Sequence, residues 1–354
     1  MTTTGLRNAF ANWSAQAVPL VLASVFETSG STYSKAGAQM LITGDGNFQG
    51  MLSGGCLEGD LAERARNVLE SGQPQSVTYD LGSNDEELWG LGVGCDGLMK
   101  IFLQPLQPGT GYEPFTTMLQ ALAGDSEQVA ATIVESSIGN LPAGATIVTV
   151  DGTPKFGDVA DVFVPQINDM ISETLRVRRS GSHSLVTASG DATLLLSLLQ
   201  PPPAILVLGA GPDAEPVVRF ANELGWRVTV QDHRPAYIKS GNFDGAEQIH
   251  CLPVDDLAAT LDLNRYAAAV VMSHHLVSDR QYLSQLAHST ISYIGLLGPI
   301  DRRRRLLVEL GELSGTLESR VRGPAGINIG GRGPASIALS IIAEMHQELM
   351  RATA

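Results

Sequence analysis

The stretch "AILVLGAGPDAEPVVRFANELGWRVTVQDHRP", residues 204–235, decides the fold of the C-terminal part of this chain. An apolar strand runs into Gly209-x-Gly211-x-x-Ala214, and a helix, a second strand and Asp232 follow. In dinucleotide-binding folds the first glycine permits a tight turn, the second lets the backbone approach a pyrophosphate, and the small third residue lets helix and strand pack. The pattern predicts a Rossmann-like, doubly wound parallel sheet. Asp232 is expected to accept a hydrogen bond from a ribose 2′-hydroxyl, which favours NAD over NADP.

Further parallel strands are predicted at 267–274 and 291–298, with a short last strand at 327–330. Ligands of open α/β sheets bind at the carboxyl ends of the strands, where His274 stands as a further candidate. The alternative is a glycine turn kept for packing alone, without a nucleotide. Pro212 removes one backbone N–H from the turn that would face a phosphate, so a phosphate site there is expected to be weaker or shaped for another ligand.

Three consecutive prolines at 201–203 mark a domain boundary, so we predict a Rossmann-like domain over 204–354. Upstream, a mixed α/β domain is predicted over 1–110. The segment 111–203 alternates helix-like and β-rich pieces, and either completes that domain or forms a layer of its own. No internal repeat is evident. The first domain is predicted because the hydrophobic patterns indicate strands at 18–27, 38–44, 75–81 and 98–106 and a helix over 57–72.

Composition excludes several classes of protein. The formal net charge of −14 over 354 residues argues against a general affinity for nucleic acid. No apolar run reaches the length of a membrane span, and no leader peptide is visible, so we expect a cytoplasmic protein. Three cysteines are too few for a disulfide framework. The apolar C-terminal helix pattern at 334–350 is expected to be buried in a symmetric homodimer.

The stretch "GMLSGGCLEGDLAERA", residues 50–65, places one thiol in a special position. Ser53, Gly54 and Gly55 deliver Cys56 to the predicted first turn of an amphipathic helix. Free N–H groups and the macrodipole at a helix N-terminus stabilise an anion, so we expect a thiolate that is reactive or metal-binding.

A second cysteine has similar surroundings. In "WGLGVGCDG", residues 89–97, Cys95 lies in a loop with Gly92 and Gly94, which is bare enough for a bulky anionic ligand to touch the backbone. The ordinary fate of a free cysteine is burial as a small apolar side chain, and this is the interpretation that we give to Cys251. It explains the glycines around Cys95 poorly.

These two cysteine loops, the glycine turn, "VVMSHHLVSD" and "YIGLLGPIDRRRRLL" resemble, in this order, the signatures of the XdhC/CoxI family. The resemblance covers nearly the whole chain and thins between 111 and 203. Members of this family are accessory proteins of molybdenum hydroxylases such as xanthine dehydrogenase. One departure is Pro212, which replaces the histidine of the family's usual G-A-G-H turn.

The resemblance implies a chaperone that binds the molybdenum cofactor (molybdopterin), protects it while a sulfido ligand is installed, and inserts it into an apo molybdenum hydroxylase. A cysteine desulfurase is then an implied partner. Cys56, Glu58 and Cys95 match family positions and become candidates for catalysis, and Cys56 and Cys95 also for a molybdenum contact. The alternative is an NAD-dependent oxidoreductase with redox-active thiols. A third option is a scaffold that only bridges partner proteins.

Overall fold

The computed structural model describes residues 3–80, 97–156 and 159–351. The chain divides into two compact units, Met1–Pro201 and Pro202–Ala354. Within the described ranges no helix is both long enough and apolar enough to cross a membrane.

The N-terminal unit contains two five-stranded antiparallel sheets, each covered by one 14-residue helix. Short 3-10 turns lie at Pro108–Thr110 and Asp161–Phe163. The helices and strands are, in chain order, α1 (Thr3–Ala15), β1 (Leu20–Gly30), β2 (Gln39–Thr43), β3 (Phe48–Gly50), α2 (Glu58–Ser71), β4 (Gln75–Asp80), β5 (Gly97–Leu106), α3 (Phe115–Ala123), β6 (Gln128–Ser136), β7 (Thr146–Val150), β8 (Thr153–Phe156), α4 (Val164–Val177), β9 (Gly181–Thr187) and β10 (Gly190–Leu199).

The two sheets have one topology. Their strand orders are β3-β2-β1-β5-β4 and β8-β7-β6-β10-β9, and the helix stands between the third and fourth strand of each set along the chain. Residues 20–106 (the first repeat) and 128–199 (the second repeat) are therefore two copies of one βββαββ arrangement. The prediction that the chain has no internal repeat was wrong.

Hydrogen bonds at the turn after the first strand align the two repeats residue by residue. In the first repeat, Val25 N donates to Ala38 O at 2.9 Å and Gly37 N donates to Val25 O at 2.8 Å. In the second repeat, Ile133 N donates to Ala145 O at 2.9 Å and Gly144 N donates to Ile133 O at 2.8 Å. Both glycines have a positive φ, +91° and +93°. Position 25 is therefore equivalent to 133, 37 to 144, and 38 to 145.

The repeats also meet through equivalent residues. Each first strand carries a bulge, at Phe26 in β1 and at Val134 in β6, and these two side chains pack together with Phe102 and Leu195 in one buried cluster. Since Phe102 and Leu195 occupy matching positions on β5 and β10, the contact is reciprocal. The arrangement has approximate two-fold symmetry.

The C-terminal unit is built on a six-stranded parallel sheet. Its order is β13-β12-β11-β14-β15-β16, which is the Rossmann order 3-2-1-4-5-6. Its helices and strands are β11 (Ala204–Leu208), α5 (Ala214–Glu223), β12 (Arg227–Gln231), α6 (Pro235–Ser240), β13 (Gln248–His250), α7 (Leu257–Thr260), β14 (Ala268–Val271), α8 (Leu276–Leu286), β15 (Tyr293–Leu296), α9 (Ile300–Glu309), α10 (Ser314–Leu317), β16 (Val321–Arg322) and α11 (Pro334–Arg351). Short 3-10 turns lie at Val254–Asp256, Leu263–Arg265 and Gly311–Leu313.

The central strand β11 is buried on both faces, as a parallel sheet requires. Ile205 and Val207 join a core cluster with residues of α5 and α11, whereas Leu206 and Leu208 join a second cluster with residues of α8. The predicted Rossmann-like fold is confirmed. The strand predicted at 327–330 was wrong, because the last strand is Val321–Arg322 and residues 327–330 lie in the loop before α11.

Candidate functional site

The loop that carries Cys56 connects β3 to α2, and we refer to residues 51–57 as the cysteine loop. The carboxylate of Glu58, which is 2% exposed, holds this loop from the helix side. Its Oε1 accepts from the backbone N–H groups of Leu52 and Ser53, each at 3.0 Å. Its Oε2 accepts from Gly55 N at 3.0 Å and from the Ser53 hydroxyl. A buried charge thus determines the course of the loop.

The ionised form of Glu58 is the stable one in this environment. Burial raises the pKa of the Glu58 carboxyl, but the hydrogen bonds from Ser53 and from the backbone of Leu52 and Ser53 outweigh it and hold the pKa below its ordinary value. Because every one of these bonds is to the loop, Glu58 is suited to positioning rather than to proton transfer.

Two glycines give the cysteine loop its shape. Gly54 and Gly55 have φ values of +80° and +112°, which side-chain-bearing residues rarely adopt. A Cβ on Gly54 would also lie 3.2 Å from the ring of Tyr33, so this exposed aromatic side chain rests on the loop backbone. The loop presents Cys56 half-buried, as a free thiol.

The predicted helical position of Cys56 was wrong. Helix α2 begins at Glu58, so Cys56 lies two residues before it, in a bend. The reason is that Ser53 Oγ accepts the N–H of Leu57 at 2.7 Å while Glu58 turns back into the loop. The helix ends as predicted, since Gly72 adopts a left-handed φ of +66° and donates to Val68 O.

The other acidic residue near the start of α2 anchors the helix to the sheet. Asp60 accepts from Arg64 Nε at 2.6 Å and from the hydroxyl of Tyr79 on β4. Burial raises the pKa of Tyr79, and the Asp60 carboxylate reinforces that direction. The Asp60 carboxylate is therefore already engaged in contacts that hold α2 against β4.

The second predicted cysteine site lies outside the described residues, since Gly92, Gly94 and Cys95 belong to 81–96. Among the residues that are described, no group of three or more His, Cys, Asp and Glu side chains stands together in a way that could hold a metal ion. The interpretation of Cys251 as a buried thiol was wrong, because it is exposed.

The second repeat carries no copy of this chemistry. Its helix α4 has the same length as α2, so positions counted back from the helix start can be compared. Val162 stands at the place of Cys56, and Val164 stands at the place of Glu58. The thiol and the carboxylate are therefore not required by the repeated fold.

The two glycines of the turn in the C-terminal unit differ in how much room each leaves for a side chain. Gly209 has a φ of +120°, and a Cβ there would lie 2.6 Å from the backbone of Met272. A Cβ on Gly211 would instead meet only His274 and Tyr237 side-chain atoms, both at 4.0 Å. Gly209 therefore serves packing, whereas Gly211 is buried with room for a small side chain, and its contact with a pyrophosphate stays a prediction.

Asp232, at the end of β12, is fully buried and already bound. It accepts from Ala210 N at 2.7 Å and from Arg234, whose Nη2 lies 2.7 Å from Oδ2 and whose backbone N lies 2.9 Å from Oδ1. Burial raises the pKa of Asp232, but the Arg234 guanidinium and these backbone donors hold it below its ordinary value. The ribose contact stays a prediction. It requires the Asp232 carboxylate to release the guanidinium of Arg234 and accept a hydrogen bond from the ribose hydroxyl instead.

His274 lies at the carboxyl end of β14 and pairs with the start of helix α5. Its Nε2 lies 3.1 Å from Oδ2 of Asp213, and its backbone has a φ of +59°. Asp213 and Pro212 thus stand where a helix N-terminus would otherwise offer N–H groups to a phosphate. The pairing places a carboxylate at the predicted pyrophosphate position.

Sequence reasoning missed Tyr33, Asp213 and Arg234. Tyr33 contacts Gly54 across more than twenty residues of chain, and no local pattern indicates it. The Asp232-x-Arg234 spacing is a usable signal, because a side chain two residues on can return to a carboxylate at a strand end.

Comparison with known proteins gives matches over both units. The XdhC Rossmann domain model matches residues 205–345, and the model of the XdhC and CoxI family matches residues 13–80. A relative from Bacillus subtilis (strain 168), described as a probable xanthine dehydrogenase subunit, is 32% identical over 335 residues, which cover 94% of this chain and 93% of the relative.

Two further matches agree. The molybdenum cofactor insertion chaperone PaoD of Escherichia coli (strain K12) is 22% identical over 93% of this chain and 84% of its own. A crystal structure described as a xanthine dehydrogenase from Bacillus halodurans superposes with a TM-score of 0.76 at 28% identity, over 99% of this chain and 96% of that one. The resemblance drawn from the motifs is confirmed, and the chain belongs to the XdhC and CoxI family.

Proposed function

We propose that this protein is an accessory chaperone that binds the molybdenum cofactor, protects it during sulfuration and inserts it into a xanthine dehydrogenase-type molybdenum hydroxylase. Support comes from two relatives, one described as a molybdenum cofactor insertion chaperone and the other as a probable xanthine dehydrogenase subunit. The cofactor is cargo in this proposal, and the chain itself turns over no metabolite. A cysteine desulfurase supplies the sulfur.

The observation that carries the proposal is the way Glu58 holds the cysteine loop. This buried carboxylate accepts hydrogen bonds from the backbone N–H groups of Leu52, Ser53 and Gly55. The loop that they order presents a free thiol. A structural loop does not need this, because the second repeat has valine at both equivalent positions. Burying a charge costs free energy unless it is compensated, so its presence in one repeat alone points to function.

The residues fit the proposed cargo chemically. A cysteine sulfur is a soft ligand of the kind that molybdenum and sulfur chemistry favours, and Cys56 supplies one. Gly55 has open space beside it, with nothing within 4 Å of where a Cβ would lie, and this space admits a bulky ligand. Cys95 is proposed as a second contact from the motif match alone. When bound, the cofactor brings a molybdenum centre whose sulfido ligand must be kept from oxidants.

The experiment is anaerobic expression in a host that makes the cofactor. Wild-type protein should retain pterin, measured as its fluorescent oxidation product, and should activate an apo-hydroxylase. Cys56→Ala should lose both with unchanged unfolding, and Cys251→Ala is the matched control that should lose neither. If the wild-type protein held no pterin and activated no client, yet oxidised a small substrate with NAD, the oxidoreductase alternative would replace this proposal.

The homodimer is also a proposal. Helix α11 carries two large exposed apolar side chains, Leu339 and Met350, although its other face is buried in the C-terminal unit. Sedimentation velocity of the wild-type protein tests it, since a monomer at micromolar concentration would remove the proposal.

A further inference from the structure

An open groove lies at the junction of the two repeats in the N-terminal unit. One wall is the end of β1 with the turn that follows it, and the other wall is the turn after α4. Its lining includes Glu27, Lys35, Arg179, His183 and Gln200. We refer to it as the cationic groove.

The charges of the groove do not cancel. Glu27 is paired with Lys100 at 2.9 Å, and Arg178, at the end of α4, is paired with Glu127 at 2.6 Å. Lys35 donates to the hydroxyl of Thr32 at 3.2 Å, and in the described part of the chain neither Lys35 nor Arg179 has a carboxylate partner. In a protein of net charge −14, a cavity with surplus positive charge attracts an anionic ligand.

The groove is joined to the cysteine loop by one segment, residues 31–38. Tyr33 rests on Gly54, and the Ser34 hydroxyl donates to Met51 O at 3.5 Å, so this segment touches the cysteine loop. Lys35 follows directly and faces the groove.

A second cavity lies beside the groove and borders the cysteine loop at Met51. It is lined by Tyr33, Gln39 and Met51, and it shares Gln200 with the groove.

Comparison of the two repeats shows that neither cation is required by the fold, since each is replaced by an uncharged residue in the other copy. Ala38 N donates to Lys35 O, and Ala145 N donates to Pro142 O, so Pro142 is the equivalent of Lys35. Both covering helices end in a left-handed residue, Gly72 in α2 and Arg178 in α4, so Gln73 is the equivalent of Arg179 by position. Each turn therefore folds in the other copy without its positive charge.

We infer that the cationic groove binds a phosphate group, as a phosphate monoester or diphosphate, and that Lys35 and Arg179 are its charged contacts. The inference rests on the proposed function in one respect, that the phosphate belongs to the cofactor held at Cys56. Free phosphate compounds share this chemistry, so the test separates the two sources.

The first arm uses cofactor-free protein and inorganic pyrophosphate in calorimetry. The double variant Lys35→Gln with Arg179→Gln should weaken binding about tenfold or more, because both charge-assisted contacts to phosphate are lost. Arg176→Gln is the matched control, since Arg176 is paired with Glu173 and does not line the groove. The variants should unfold as the wild-type protein does, since both side chains are exposed.

The second arm measures pterin retained after anaerobic expression. Loss of pterin in the double variant, with retention in Arg176→Gln, supports the cofactor as the source of the phosphate. Pyrophosphate binding that depends on Lys35 and Arg179 in a protein that never retains pterin keeps the groove and removes the proposed function. Equal pyrophosphate binding by wild type and double variant, or no binding by the wild type, overturns the inference even if Cys56 still retains pterin.

Discussion

Ser53 and Glu58 fix each other at the start of α2. The Ser53 hydroxyl donates to the buried Glu58 carboxylate and at the same time accepts the N–H of Leu57 at 2.7 Å. The N–H of Leu57, the residue just before the helix, and the polar groups of the cysteine loop are therefore satisfied by the same pair of side chains. Loop order and helix start are coupled, and the predictions below use that coupling.

Glu58→Gln should lower the free energy of unfolding by about 1–3 kcal/mol near neutral pH, the cost of leaving buried donors without an acceptor. An amide can accept from Leu52 and Ser53, but its NH₂ would face the N–H of Gly55. Since the folded-state pKa of Glu58 lies below its ordinary value, its stabilisation is complete above the ordinary pKa and disappears as pH falls through the folded value.

Urea unfolding at about pH 7 and about pH 4 therefore should show the difference from wild type shrinking in acid. Glu63→Gln, an exposed change in the same helix, serves as the control and should be neutral at both. A constant difference across this range would mean that the loss is packing and not charge.

Alkylation of the native protein should report the order of the cysteine loop. Wild-type Cys56 is half-buried and Cys251 is exposed, so the greater exposure of Cys251 favours its faster alkylation. In Glu58→Gln the loop loses its anchor, and the rate at Cys56 should rise while the rate at Cys251 stays constant. Peptide mass spectrometry separates the cysteines. An unchanged Cys56 rate in a folded variant would show that Glu58 does not order the loop.

Substitution by alanine should lower the free energy of unfolding strongly at Gly209 and only slightly at Gly211. Gly209→Ala forces a Cβ at a φ of +120° to within 2.6 Å of the Met272 backbone, so a loss of about 3 kcal/mol or more is expected. Gly211→Ala meets nothing closer than 4.0 Å and should stay within about 1 kcal/mol of wild type. Hydrogen exchange in peptides from β11 and β14 checks this, and similar protection in both variants would contradict it.

The sequence predicts most of the secondary structure because the dominant signals are local. β11, α5 and β12 follow from apolar runs separated by the glycine turn, and Gly72 ends α2 because a left-handed residue is needed there. The repeat was missed because its evidence is in three dimensions: "SVFETSG" and "TIVESSIG" align only once the bulges at Phe26 and Val134 are seen to match.

The contacts among the candidate site residues could be predicted from the sequence only in part. Cys56, Glu58 and Ser53 lie together as their spacing suggests, but that Glu58 points backward into the loop depends on backbone N–H groups that no residue pattern records. Asp232 stands at the predicted strand end, yet its availability depends on Arg234, a contact decided by side-chain geometry.

The nucleotide test follows from that contact and from the turn beside it. Asp232 is engaged by Arg234, Pro212 offers no N–H, and the Asp213 carboxylate pairs with His274 at the helix start. We therefore expect wild-type protein to bind NADH and NADPH only weakly, with dissociation constants of about 1 mM or above.

Asp213→Asn removes the carboxylate charge and should strengthen binding of both dinucleotides alike, because the change acts on the pyrophosphate and not on the ribose. Asp244→Asn, an exposed change on the same unit, should leave binding unaltered. Fluorescence titration decides the matter: tight NADH binding by the wild type, with NADPH rejected, would mean that Asp232 releases Arg234 and accepts the ribose after all.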